Sequence, residues 1–232
     1  MSTDVATDDL DLRLFRGVGK DALLRLGDKS ETETIPADTI IVTEGDSLGY
    51  LHIVQQGVIE LYAQSPRNRT TIALLEPGDC FILTAVVNNA VALMSARSVG
   101  RAQVLRVPAG LYRKSLHGNQ KLLLNALMEV GLEFRGIIRQ LRDQKLRSAD
   151  QRLAGYLMHL SRKQGSENEV LLPVRKQLVA SYLGIRSESL SRAFSDLQKI
   201  GVSVEGERVR ISDPVTLAQF ANIDEVIDNP II

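Results

Sequence analysis

Glu188, Ser191 and Arg192 crowd the first turns of one helical stretch, GIRSESLSRAFSDLQKIGV, Gly184 to Val202. Glu188 and Arg192 are four apart, so on a helix they share a face and can brace each other. Arg192 can donate two hydrogen bonds to guanine O6 and N7. Glu188 can accept from the exocyclic amine of cytosine or adenine, and Ser191 is short enough to approach a base edge or a thymine methyl. Ser187 reads either as one more base-edge contact or as an N-cap, with Glu188 as a favourable first-turn acid. Leu190, Phe194 and Leu197 fall on the opposite face and belong to a core. Arg175, Lys176 and Gln177, opening the preceding helix, are placed for phosphates, helped by that helix's N-terminal dipole.

Other chemistry is sparse. The chain has three histidines and one cysteine. With no cluster of nucleophile, base and metal ligands, and no phosphate-cradling glycine loop, an enzyme is not expected. One cysteine excludes an intrachain disulfide and a four-cysteine iron–sulfur cluster within the chain. A haem needs an axial ligand. The candidates are His52, inside YLHIVQQG, and Cys80, inside GDCF. A packed strand histidine and a small buried thiol are the alternative readings. His117 and His159 read as helix-surface residues.

Arg175 to Leu183 reads as a short helix ended by Gly184, and Ser187 to Ile200 as another. VSVEGERVRI reads as a hairpin with its turn at Glu205-Gly206. Helix, three-residue turn, helix and hairpin make a winged helix-turn-helix, whose second helix enters the major groove by its N-terminal end. Upstream, after a short helix at Asp21 to Leu26, the stretch Thr34 to Pro108 holds short β-branched runs: IIVTEG, YLHIVQQGVIELYAQ, TTIALLEPGDCFIL and AQVLRVP. Gly45, Gly57, Pro77-Gly78 and Asn88-Asn89 punctuate them, which predicts a sandwich or barrel. From Asn119 to Arg147 there is no Pro, and Leu127, Val130, Phe134, Ile137 and Leu141 follow spacings of 3, 4, 3 and 4. That narrow heptad seam suits a helix pairing with its own copy, with Arg135, Arg139 and Arg142 on other faces. A further helix, Ala149 to Lys163, follows without an obvious break, then a polar loop and the strand VLLPV.

The expected domains are therefore 1–118, 119–147 and 148–232. At 232 residues and 44% hydrophobic, the chain can fill a sizeable core. Formal net charge is zero, yet residues 148–212 carry 10 Lys+Arg against 7 Asp+Glu, and residues 119–147 carry 6 against 3. The start, MSTDVATDDLDL, is unlike a signal peptide, and no apolar run reaches the roughly 18 residues of a membrane span, so a cytoplasmic protein is expected.

This order of parts, and Glu188-x-x-Ser191-Arg192, resemble the Crp/Fnr family of bacterial transcription regulators over about Leu14 to Ile211. VTEGD, IVQQGVIELY and LLEPGD resemble its β-roll glycines, and QLVASYLGIRSESLSRAFSDLQKIGV its DNA-binding signature. The resemblance implies an α+β chain: a jelly-roll-like β-roll effector domain, a long dimerisation helix and a C-terminal winged helix-turn-helix. It implies a homodimer, a twofold-symmetric double-stranded DNA site and RNA polymerase as a partner. Ser187 and Ser191 stand where the Crp type has Arg and Gly, so the helix is similar to the Fnr type, implying half-sites like TTGA paired with TCAA. Ser187 could alter the outer base.

Cyclic-nucleotide binders of the family carry Gly-Glu and then Arg-Ser-Ala. Here Ile82 and Leu83 match the first pair, and Leu93 and Met94, or one residue later, match the second. A buried phosphate without a cation is costly, so cAMP is not expected. An apolar pocket leaves three options: a haem sensing nitric oxide or another gas, a pocket filled by its own side chains, or an unidentified metabolite. A module of another class, cyclic-nucleotide-binding-like and acting only on a protein partner, would leave Glu188 and Arg192 without a use.

Overall fold

Runs of β-branched residues between glycine turns place most of residues 31–108 in strands. The computed structural model describes residues 3–4, 12–66, 68–224 and 227–228, and divides into two units, Met1–Phe134 and Arg135–Ile232. In the first unit, β1 (Thr3–Asp4), β2 (Glu31–Ile35), β9 (Ala102–Pro108), β4 (Tyr50–Gln56) and β7 (Cys80–Phe81) form one sheet, in that order. A second sheet has the order β3 (Ile40–Val42), β8 (Ser95–Ser98), β5 (Ile59–Ser65), β6 (Asn68–Leu75). All pairings are antiparallel.

Alternation along the strands builds two cores. Leu51, Ile53, Leu105 and Val107 pack with Leu14, Phe15, Tyr112 and Leu122. Val54 and Val104, on the other face of the same strands, pack with Ile59, Leu61 and Ala96 of the second sheet. β4 is buried on both faces from Leu51 to Val54. Gly57 links β4 to β5 at φ +83°, and a Cβ there would stand 2.7 Å from the Arg101 carbonyl oxygen. Only glycine fits that turn.

The strand expected through GDCFIL stops after Phe81. Ile82 takes φ +59°, and α2 (Leu83–Asn88) follows, closed by Asn89 at φ +52°. Leu83 and Val86 sink into the first core, so tertiary burial overrides the β-branched propensity of this segment. α1 (Lys20–Gly27) and α3 (Ala109–Gly118) flank the sheets. α4 (Gln120–Leu146) runs 27 residues, about 40 Å at 1.5 Å per residue. The boundary between the two units falls inside α4.

In the second unit, α5 (Ala149–Gln164) begins with a capping box. Ser148 Oγ accepts from the Gln151 backbone N–H at 3.2 Å, while Gln151 Oε1 accepts from the Ser148 N–H at 3.0 Å. That box supplies the break the sequence reading lacked. β10 (Glu169–Leu171), α6 (Lys176–Tyr182), α7 (Ser187–Gln198), β11 (Val202–Glu205), β12 (Arg208–Ile211) and α8 (Pro214–Phe220) follow, with sheet order β10-β12-β11. The hairpin loop is Gly206-Glu207, one residue later than expected, with Glu205 opposite Arg208. Arg147, close to α5, donates to Asp143 at 2.7 Å and to Asp228 at 2.5 Å, anchoring the C-terminal segment.

Candidate nucleic-acid interface

The turn between α6 and α7 is set by Gly184 at φ +65°. The Gly184 N–H donates to Ser181 O and the Ile185 N–H to Ala180 O, both at 3.0 Å. This pairing is a Schellman ending, which needs a left-handed residue just past the helix. α7 then starts with Arg186 as its N-cap, so Ser187 is the first helical residue rather than the cap.

α7 is split lengthwise. Leu190, Ala193, Phe194 and Leu197 are buried, each large apolar side chain contributing about 1.5–3 kcal/mol by burial. Ser187, Glu188, Ser191 and Arg192 are exposed on the other side. Among the described residues no ion pair joins Glu188 to Arg192, so the expected bracing is absent and both charges point to solvent. Ser191 Oγ donates to Ser187 O at 3.1 Å, which commits its proton and leaves its lone pairs as acceptors. Ser195 repeats this one turn on, donating to Ser191 O at 3.1 Å. The four-residue repeat of Ser187, Ser191 and Ser195 carries this pattern in the sequence.

Arg175 caps α6, with Lys176 and Gln177 in its first turn. The Lys176 ammonium lies 5.6 Å from the Phe194 ring centroid, so its stem packs on α7 while the charge stays near the surface. At seven residues, α6 has only a modest dipole to add.

Leu127, Phe134, Ile137 and Leu141 are exposed, Phe134 by 63%. Leu123, Leu124, Met128 and Ile138 extend the apolar surface beyond the expected seam. Val130 differs: it packs partly against the first core of its own unit.

In the β domain, the four expected pocket residues do not converge. Ile82 belongs to the second core, Leu83 to the first, Met94 packs at the edge of the second, and Leu93 is 77% exposed. The reason is the αL turn at Ile82, which sends its side chain and that of Leu83 to different cores. Arg97, the arginine nearest this stretch, is committed elsewhere. It donates to the buried Glu60 carboxylate at 2.6 Å and to Asp38 at 2.9 Å, while Arg69 and Thr71 complete the Glu60 cluster at 2.6 Å each.

The two candidate haem ligands sit on opposite faces of one sheet. His52 is 7% exposed and stacks on Phe81 with ring centroids 5.0 Å apart. Burial, helped by the Arg106 charge, pushes its pKa down to about 4. Cys80 pairs with Ile53 in the first core, where burial pushes the thiol up, carboxylates adding to the effect. Both side chains are buried, His52 against Phe81 and Cys80 in the first core. Among the described residues, no cluster of three metal-ligating side chains occurs, and no helix is long and apolar enough to cross a membrane.

A two-sheet β domain, a long helix and a winged helix-turn-helix with a polar exposed face define a DNA-binding transcription regulator. The Crp-like helix-turn-helix domain family matches residues 151–220, and the cyclic nucleotide-binding domain family matches residues 32–118. The anaerobic regulatory protein of Pasteurella multocida is 26% identical over 194 residues, covering 81% of this chain and 70% of the relative. The nitrogen fixation regulation protein FixK of Bradyrhizobium diazoefficiens is 25% identical over 224 residues, covering 92% and 87%. The solved structure of FixK2 from Bradyrhizobium japonicum shares the fold with a TM-score of 0.74 at 20% identity, covering 82% of this chain and 96% of that one. A CooA mutant from Carboxydothermus hydrogenoformans also reaches 0.74, at 16% identity, covering 95% and 98%. The chain belongs to the Crp/Fnr family of transcription regulators and is not an enzyme.

Proposed function

We propose that this regulator works as a homodimer on a palindrome of the TTGA-N-TCAA kind, independently of cAMP. Glu188, Ser191 and Arg192, with Ser187, read base edges, and Arg175, Lys176 and Gln177 hold phosphates. The observation that carries the reading is the division of α7 into a buried apolar face and an exposed face with two acceptors and one guanidinium fork. Two copies pairing along Leu127, Phe134, Ile137 and Leu141 would present two recognition helices to a twofold-symmetric site. RNA polymerase is the protein partner proposed for regulation from such a site.

For the β domain, the packing supports an interior filled by its own side chains. Val54, Phe81 and Ile82 occupy it, and Arg97 is bound to Glu60 rather than left for a phosphate. Calorimetry with cAMP is expected to show no binding, and cAMP is expected not to change DNA affinity. Haem-based nitric oxide sensing is the competing reading, and it requires His52 to leave Phe81. An absorption spectrum after haem addition separates the two: an unchanged free-haem spectrum supports the filled domain. A Soret band that His52→Ala abolishes contradicts it.

A further inference from the structure

The wing carries charges that the reading helix does not use. On β11 and β12, Val202, Val209 and Ile211 turn inward, while Ser203, Glu205, Arg208 and Arg210 line the exposed face. Gly206, at φ +62°, opens the two-residue loop, so the tip presents Glu205 and Glu207 side by side with solvent. The two cations beyond the tip both lean to one carboxylate on β10. Arg208 Nη1 lies 2.5 Å from Glu169 Oε1, and Arg210 Nε lies 3.6 Å from Glu169 Oε2. Only residues 199–201 separate α7 from β11, so the hairpin stays beside the reading helix.

That pattern is the reverse of what a phosphate-gripping wing needs. A duplex carries one negative charge per about 1.7 Å of axis, and sequence-independent affinity comes from cations set against it. Here the tip is anionic and the nearest cations are shared with Glu169. We infer that the wing restrains DNA affinity: Glu205 and Glu207 repel the phosphate backbone, and Glu169 draws Arg208 and Arg210 away from it. Repulsion of this kind is blind to sequence, so it lowers binding to all DNA and leaves discrimination to the base contacts of α7. The inference rests on α7 docking as proposed above.

The test uses the full chain, one duplex with TTGA and TCAA half-sites and one unrelated duplex, at low and high salt. Arg192→Ala, run on the same duplexes, reports the docking of α7 by itself through loss of preference between them. E205Q/E207Q is expected to tighten binding to both duplexes by about three- to tenfold at low salt, the gain shrinking as the Debye length falls below about 10 Å. E169Q, which frees two guanidinium groups, is expected to act in the same direction. Unchanged or weaker binding in E205Q/E207Q overturns the inference, as does a gain confined to one duplex.

Discussion

Glu133 and His52 pull stability in opposite directions with pH. Glu133 lies close to Glu129 and Asp79, while Arg13 is already paired with both of those carboxylates, at 3.0 and 2.9 Å. Burial first, and then the Glu129 and Asp79 charges, push its pKa to about 7. Folded chains therefore hold a proton that unfolded chains lose above the ordinary carboxylate range. The resulting stability is full at acid pH and disappears as pH rises through about 7. His52 is the converse, its pKa held at about 4 by burial and Arg106. It contributes stability above its ordinary value of 6.5, lost as pH falls toward 4. Thermal melts of Glu133→Gln between pH 4 and 8 are expected to lose the decline toward pH 8 and keep the acid lability. A decline as steep as in the parent chain contradicts this account of Glu133. Neither shift was legible in the sequence, because both depend on which residues the sheets and α4 bring together across long separations. The hydrogen bonds of the buried Glu60 were not legible either, since its three partners come from β6 and β8.

Elements were more legible than their limits. Leu190, Phe194 and Leu197 announced the buried face of α7, and Gly184 its preceding turn, because both signals are local. α2 was missed because Leu83-Thr-Ala-Val-Val has strand-like composition and becomes helical only when Leu83 and Val86 find the first core. The start of α5 was written as Ser148-x-x-Gln151, a capping box that could have been recognised. Ser148→Ala is expected to cost about 1 kcal/mol in chemical denaturation, within the usual 0.5–2 kcal/mol for such caps. A change below a few tenths of a kcal/mol would show that the box does not hold α5. On α4, the exposed seam makes a sharper prediction. Phe134→Glu with Ile137→Glu places charges between two apolar helices, at a cost of several kcal/mol per dimer. Analytical sedimentation is expected to show a monomer that no longer binds a palindrome. A double variant that still sediments as a dimer removes this seam from the interface.

For the whole molecule, the α+β class and the order of its parts were visible because each part has its own local signal: β-branched runs between glycine turns in the strands, a seven-residue period in α4, a turn-separated helix pair at the end. The division into two units falls within α4, whose sequence carries no break. Net charge was uninformative at this scale, because acidic and basic groups cancel over the chain and separate only locally. The function proposed for this regulator requires α7 to be the element that reads DNA. The most direct measurement is binding of the parent chain, Arg192→Ala and Lys176→Ala to a library of variant palindromes at two salt concentrations. Arg192→Ala is expected to lose about 1–3 kcal/mol on the preferred site and to relax preference at one base pair. Lys176→Ala is expected to weaken every sequence about equally and to flatten the salt dependence. If Arg192→Ala weakened all sequences alike while Lys176→Ala changed base preference, the two roles would be reversed. If neither variant altered binding, α7 would not be the reading element.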